Sequence, residues 1–578
     1  MLAPAGILLV GCFLIPLLLI FWSSFFGGRL DFTNYARLLS EPLYFRTTLR
    51  TFEVGFYVTL ICLVFGYPLA YLLTIVGSAT RTSLITLILI PLFTAFLIRT
   101  YAWIIILGRQ GIVNLVLMHL GVIGEPLEIL HTPAAVYIGM SHVLMPIAIF
   151  TMYSTMNQID RNLVRAAHVL GASPVRAFLR VYFPLTLPGV LAAGVLVFIM
   201  SIGFYITPAL LGGPSETMIS QLIVTQATTL LNLEMSFSLA VLLLAATFLV
   251  LALAGLVIPI ELMWSVPGAA AKSLDRGATR VHQLLRGSLA AAAGHRVERI
   301  LDSAHAIIAR TRVPFLHCYG AALVFFLVAP LLVIVILSFS SSNFIVFPPP
   351  GLSLQWYEKL WTASPWHSAF IFSIELGASA ALVSIAIGMS AAFALVRGRM
   401  RIKRILFLLA VAPMVIPTIV LAIALYFYFA KLRILGTFPG LVLGHVVLTV
   451  PYAVVVLTSA VRGLDRSLED AAAIHGARPL QTLRRVIVPL LWPAVLTSGL
   501  LAFLTSFDEL LISIFLLGRQ TQTLPIKFWS DINMQIDPLL SAASTVIVCI
   551  VTVVILGGQI MRRRQRSAPS AMPTAAAR

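Results

Sequence analysis

The side chains best placed to do chemistry in this 578-residue chain are charged groups set inside long apolar runs. Asp508 and Glu509 stand side by side within FLTSFDELL, and Arg99 stands within IRTYAW. Glu53 and Glu375 lie near the outer ends of two further apolar runs. An ionised group is costly in hydrocarbon and persists there when it meets a partner, a water-filled path or a solute. Together the four acids would give a cavity a negative lining suited to a cationic solute. Arg99 opposes that lining and is a candidate partner for one of the acids. Tyr205, with Tyr101, Trp103, Phe204 and Phe507, offers ring faces on which a cation can stack. A plainer alternative stands beside this: structural ion pairs, side chains snorkelling to the interface, and aromatics anchoring span ends. Covalent chemistry has little support. The chain holds no HExxH, no GxSxG and no G-x-x-x-x-G-K-[ST] phosphate loop, and lacks even a Gly-Lys dipeptide. Cys12, Cys62, Cys318 and Cys549 each sit in an apolar run far from the others, which fits neither a metal site nor a disulfide framework. The expectation is a chain that is no enzyme and binds no cofactor or metal.

A second constellation is present twice. DRNLVRAAHVLGASPVRAFLRVYFPLTLPG begins at Asp160, and DRSLEDAAAIHGARPLQTLRRVIVPLLWPA begins at Asp465. They align without a gap at an offset of 305, so that Ala166–Ala167 fall on Ala471–Ala472 and Gly171 on Gly476. Pro184 likewise falls on Pro489. The alanines favour a short helix with a surface that a partner can approach closely, and each glycine ends it in the left-handed conformation. The prolines mark where the next segment enters the apolar phase. An isolated copy would pass as an ordinary amphipathic connector. Two matched copies point to two docking surfaces for something outside the membrane.

The elements that must position these residues follow from composition. Hydrophobic residues make up 60% of the chain, charged residues 10%, and mean hydropathy is +1.01. That is a polytopic membrane protein, since a spanning helix takes roughly 20 apolar residues. Twelve such runs are expected, near 3–26, 51–76, 84–107, 134–156, 186–211, 237–263, 315–339, 368–396, 405–430, 439–461, 491–517 and 541–561. The first is read as a retained span, for it lacks a basic leader and a clear cleavage site. The net charge of +18 would suit nucleic acid, but most of the 39 Lys and Arg fall in alternate loops. This is the positive-inside bias, and it places both termini and both repeated loops in the cytoplasm. The duplication also reaches earlier in the chain. At an offset of 322, Glu53 falls on Glu375, Gly66 on Gly388 and Pro91 on Pro413. Two six-span repeats in the same direction are expected. Residues 1–263 and 314–561 form the halves, 264–313 a basic linker and 562–578 a tail.

The pattern E-A-A-x-x-x-G, nine residues, then I-x-L-P resembles the cytoplasmic loop of permease subunits of bacterial ABC importers. Here it reads Asp470-Ala471-Ala472 to Gly476 and then Val486 to Pro489, with Glu469 beside it. The first copy reads Arg165-Ala166-Ala167 to Gly171 and then Val181 to Pro184. IRTYAW, TPALLGG and SFDE resemble the two permeases of spermidine/putrescine-type importers, here fused. The resemblance covers the chain apart from linker and tail. It implies an all-α fold of the type I importer permease kind, in a bacterial inner membrane. It also implies coupling helices seated on two copies of a cytoplasmic ABC ATPase, which uses the ATP and Mg. A periplasmic solute-binding protein would deliver the solute. Arg165 departs from the usual acid, so the two docking sites are expected to differ. Ferric iron, thiamine or another organic cation are alternative cargoes. A secondary transporter is the alternative of another class; it would need no such loops and no ATPase.

Overall fold

In hydrocarbon every backbone N–H and C=O has to be paired within the protein, which leaves helices as the economical solution for so apolar a chain. The computed structural model describes residues 3–26, 31–257, 315–362, 364–518, 522–534 and 537–567. Every named element among them is a helix. Among the described residues eleven helices are long and apolar enough to span, and the pair Lys403–Met414 and Thr418–Lys431, bent by 95°, makes twelve when counted as one span. The expected linker, 264–313, lies outside the described residues, as does the tail beyond residue 567. The last helix, Pro538–Ser567, continues through the arginines near its C-terminal end.

The duplication reappears as geometry. Adding 322 to the helices Thr33–Ser40 and Pro42–Ile75 gives Gln355–Thr362 and Ser364–Arg397. Adding 305 to Pro174–Ala177 and Phe183–Ile202 gives Pro479–Thr482 and Val488–Phe507. Even the π-helical stretches match, Phe178–Tyr182 against Leu483–Ile487. A small polar contact is copied too. Tyr35 and Ser24 hydroxyls meet at 2.8 Å, and Tyr357 and Ser338 at 2.7 Å.

Each half is built on a tight bundle. Pro42–Ile75, Pro133–Met156 and Phe183–Ile202 pack together in the first, and Ser364–Arg397, Phe438–Arg462 and Val488–Phe507 in the second. Small residues permit that closeness. A methyl added at Gly66 would lie 3.2 Å from Ile149 Cγ1, and one at Gly388 would lie 2.6 Å from Ala453 Cβ. The opening span of each half is lent to the other. Ile15–Phe25 packs on Thr418–Lys431, and Phe315–Leu337 packs on Pro42–Ile75 and Ser78–Phe93.

Two features differ from the continuous spans expected. The third span breaks after Phe93 and resumes at Phe96, and its mate, the bent ninth, resumes at Thr418. The fifth and eleventh end at Ile202 and Phe507, then restart at Ile206 and Leu511. The residues at 203–205 and 415–417 are mostly apolar, so hydropathy does not mark those breaks, whereas the eleventh is broken at its acid pair, Asp508 and Glu509. Proline is the physical cause at the ninth, where Pro413 and Pro417 flank the bend. The second span is also longer than expected. It begins at Pro42, so Arg46 and Arg50 ride on a helix instead of lying in a loop.

Candidate functional site

The repeated loops each fold as a short helix, Arg161–Val169 and Ser467–Ile474. Asp160 caps the first by accepting the Asn162 N–H at 2.9 Å, and Asp465 accepts that of Ser467 at 2.9 Å. The Ser467 hydrogen bonds hold the Asp465 carboxyl below its ordinary range. Both helices end identically. Gly171 N–H donates to His168 O and Ala172 N–H to Ala167 O, each at 3.0 Å, with φ of +84° at Gly171. In the second, Gly476 donates to Ala473 and Ala477 to Ala472, each at 3.0 Å, with φ of +77°. This is the double bond of a Schellman end, which needs a residue tolerant of left-handed backbone.

The exposed faces of the two loops differ in charge. Arg165, Ala166, Asp470 and Ala471 are exposed, Ala167 is buried, and Ala472 is half-buried. Arg165 reaches Asn162 Oδ1 at 3.4 Å. Glu469 is engaged by Arg397, whose Nε donates at 2.9 Å and whose Nη2 donates to Leu464 O at 2.9 Å. The first loop is tied to the second span differently, by Arg161 donating to the Thr74 carbonyl. Pro184 and Pro489 stand in the first turns of the following helices, as expected for a residue without an N–H. Three apolar residues beside the glycines went unremarked in the sequence. Val169, Leu170 and Ile474 are 87%, 86% and 84% exposed. Their signal was an aliphatic residue within two positions before each glycine of a polar loop.

The intramembrane charges divide into two groups. Asp508 and Glu509 lie in the break of the eleventh span and remain partly accessible. Glu509 Oε1 accepts the Ile512 N–H at 3.0 Å, capping the short helix Leu511–Leu516. Asp508 reaches across to the first half. Its two carboxylate oxygens accept the Phe96 N–H at 3.2 and 3.3 Å, where the third span restarts. A carboxylate is favoured there because the free N–H groups of a helix start carry positive charge. Arg99, one turn on, is wholly buried, lies 5.0 Å from the Phe96 ring centroid and donates Nη1 to Val143 O at 3.0 Å. Tyr205 occupies the matching break of the fifth span, its ring 5.3 Å from that of Trp529 on Leu524–Met534 of the second half. Phe96, Tyr205, Phe507 and Trp529 pack on one shared core. Asp508, Glu509, Arg99 and Tyr205 are thus brought to the crossing of the halves.

Glu53 and Glu375 are not part of that group. Glu53 accepts from Arg50 Nη1 at 2.8 Å, and Arg50 Nη2 holds Glu216 at 3.2 Å. Glu216 also accepts the Gly213 N–H at 3.0 Å, so this pair clamps the TPALLGG segment to the second span. The structural ion pair is the better account of Glu53. Glu375 is exposed on the eighth span among exposed Ile371 and Ile374. Two of the four acids therefore stand apart from the crossing, Glu53 held by Arg50 and Glu375 on an exposed face. The Arg50–Glu53 spacing of three residues was the available signal. Phe96 contributes a backbone group and had none.

Comparison with known proteins gives a consistent result. The family described as "Binding-protein-dependent transport system inner membrane component" matches the chain twice, over residues 56–259 and 384–566. The spermidine/putrescine transport system permease protein PotB of Escherichia coli (strain K12) is 38% identical over 204 residues, covering 35% of this chain and 74% of that protein. The putrescine transport system permease protein PotI of the same organism is 35% identical over 228 residues, covering 38% of this chain and 81% of that protein. The present chain is roughly twice their length. A solved bacterial alginate ABC transporter, in complex with an alginate pentasaccharide-bound periplasmic protein, aligns at 18% identity with a TM-score of 0.37. That alignment covers 44% of this chain and 91% of the other.

Proposed function

Because the chain belongs to the family of binding-protein-dependent transport system inner membrane components and carries the family domain twice, we propose that it moves a polyamine such as spermidine or putrescine inward as the fused permease of an ABC importer. Its being a permease component of such an importer follows from the family; a secondary transporter is set aside with it. The cargo is our inference. The observation that carries it is the partly accessible acid pair, Asp508 and Glu509, at the crossing of the halves beside Tyr205, Phe507 and Trp529. Acids supply attraction for ammonium groups, and aromatic faces accept a cation together with its methylene chain. The relatives named for spermidine and putrescine support the same cargo.

The remaining parts are assigned as follows. Residues 1–263 and 314–561 form the two transmembrane domains, 264–313 a cytoplasmic linker, and 562–578 a tail, with both termini in the cytoplasm. Each short loop helix seats on one of two copies of an ABC ATPase, which binds the ATP and Mg. Exposed Val169, Leu170 and Ile474 supply apolar contact there. ATPase closure then drives the halves between inward- and outward-facing states, and a periplasmic binding protein delivers the solute. Arg165 and Asp470 occupy the same repeat position with opposite charge, so the two ATPase contacts are not equivalent.

The test is a reconstituted complex of the chain, its ATPase and its binding protein in liposomes. ATP hydrolysis should rise when the binding protein is loaded with spermidine or putrescine. A basal rate that no polyamine changes would discard the cargo.

A further inference from the structure

The two crossings of the halves are built from equivalent positions and are chemically unlike. At one, Asp508 of the second half meets Phe96 of the first. At the other, the repeat places Gly203 where Asp508 stands and Thr418 where Phe96 stands, and Gly203 rests directly against Pro417. Arg99 has Leu421 as its mate, a fully buried aliphatic residue. Both signs of charge are therefore confined to one crossing.

Arg99 is also incompletely satisfied there. Nη1 has its carbonyl, but Nε and Nη2 are buried without a hydrogen-bond partner. A guanidinium is never neutral in practice and needs an opposing charge when taken from water. The titratable groups that act on it are His142 of the fourth span and Asp508. His142 turns Nε2 to Leu327 O at 3.0 Å and carries no negative charge to offer. Asp508 is the acid of the two, and Arg99 and Asp508 are both placed on Phe96, one on its ring and one on its N–H.

We propose that Arg99 is a specificity-determining residue, the fixed cation that offsets one of the two acid charges at the crossing. With both acids ionised the crossing then carries about one negative charge. It holds one ammonium group of a passing polyamine weakly enough to release it, while aromatic faces receive the rest. Arg99 does not touch the solute; it sets how tightly Asp508 does. The proposal rests on the cationic-solute reading above.

The experiment is equilibrium binding of labelled spermidine to the purified permease–ATPase complex, without binding protein, alongside uptake rates in liposomes. Arg99→Met should bind spermidine roughly tenfold more tightly and transport it more slowly, because an unopposed acid pair retains its cation. Arg99→Lys should resemble the unaltered protein. Asp508→Asn should bind more weakly, and Arg99→Met combined with Asp508→Asn should return towards the starting affinity. Should Arg99→Met fail to accumulate, Arg99→Gln replaces it, since its amide can still reach the Val143 carbonyl. If Asp508→Asn leaves binding unchanged, the cationic-solute reading itself fails. If Asp508→Asn weakens binding but neither uncharged Arg99 variant tightens it, that reading stands and the role given to Arg99 is overturned. Equal impairment by Arg99→Lys and Arg99→Met would reduce Arg99 to packing.

Discussion

Asp508 and Gly203 hold the same place in the repeat, and the difference between a carboxylate and a hydrogen atom is what makes one crossing polar. At this scale the account predicts that Asp508→Asn with Glu509→Gln lowers polyamine uptake by about tenfold or more while the ATPase still co-purifies. Unchanged uptake would leave the acids as helix caps alone, a role the Phe96 and Ile512 hydrogen bonds already give them. Gly171 and Gly476 make a second residue-scale case. Each sits at positive φ, so a valine there costs about 1–2 kcal/mol of backbone strain. Gly476→Val should therefore lower ATPase coupling while insertion of the chain is kept, measured as transport per unit of membrane protein. Loss of the inserted protein would contradict that expectation. The acids were legible because charge in an apolar run is conspicuous. What they touch was not, since a backbone N–H at a helix restart has no sequence letter. The Arg50–Glu53 pair was hidden for a related reason: the span expected near 51–76 leaves Arg50 outside it, whereas the helix begins at Pro42.

Among elements, the short loop helices and the broken spans carry the argument. The loop helices were legible down to their glycine ends, because two copies at one offset constrain each other, but their exposed Val169, Leu170 and Ile474 were not. Ala472→Arg, on the half-buried face of the second, should abolish transport with the protein still inserted; normal transport with a purified ATPase would make the loop a mere connector. The breaks at 94–95, 203–205 and 415–417 were not legible from hydropathy, which reports partitioning and not chain direction, and at 508–510 the acids were legible but the break was not. Close helix packing was legible only as matched glycines without a stated purpose. The structure supplies it at Gly388, whose added methyl would meet Ala453. Gly388→Leu should reduce the amount of folded protein recovered in mild detergent, since overpacking typically costs about 1–3 kcal/mol. The same change at exposed Gly77, with nothing near it, should not.

For the whole molecule, two copies of one domain exchange their opening spans and then diverge where they cross. The family match and the register of the helices agree on the duplication. Fusion fixes the pairing of unlike halves, so the chain split within 264–313 and expressed as two pieces should still assemble and transport. Failure of the pieces to associate would mean that the linker does more than join them. Polarity is set asymmetrically, with the acid pair from one half and the cation from the other. At the offset of 305 Gly203 and Phe204 stand opposite Asp508 and Glu509, so that asymmetry is visible in the alignment, whereas the meeting of Asp508 and Arg99 on Phe96 required coordinates. The most direct measurement is uptake of labelled putrescine and spermidine into cells lacking their own polyamine importers. The chain would be co-expressed with its ATPase and binding protein. The account predicts uptake that requires the ATPase, is blocked by excess unlabelled polyamine and falls with Asp508→Asn. No polyamine uptake from a complex in which the ATPase is present and active would contradict it.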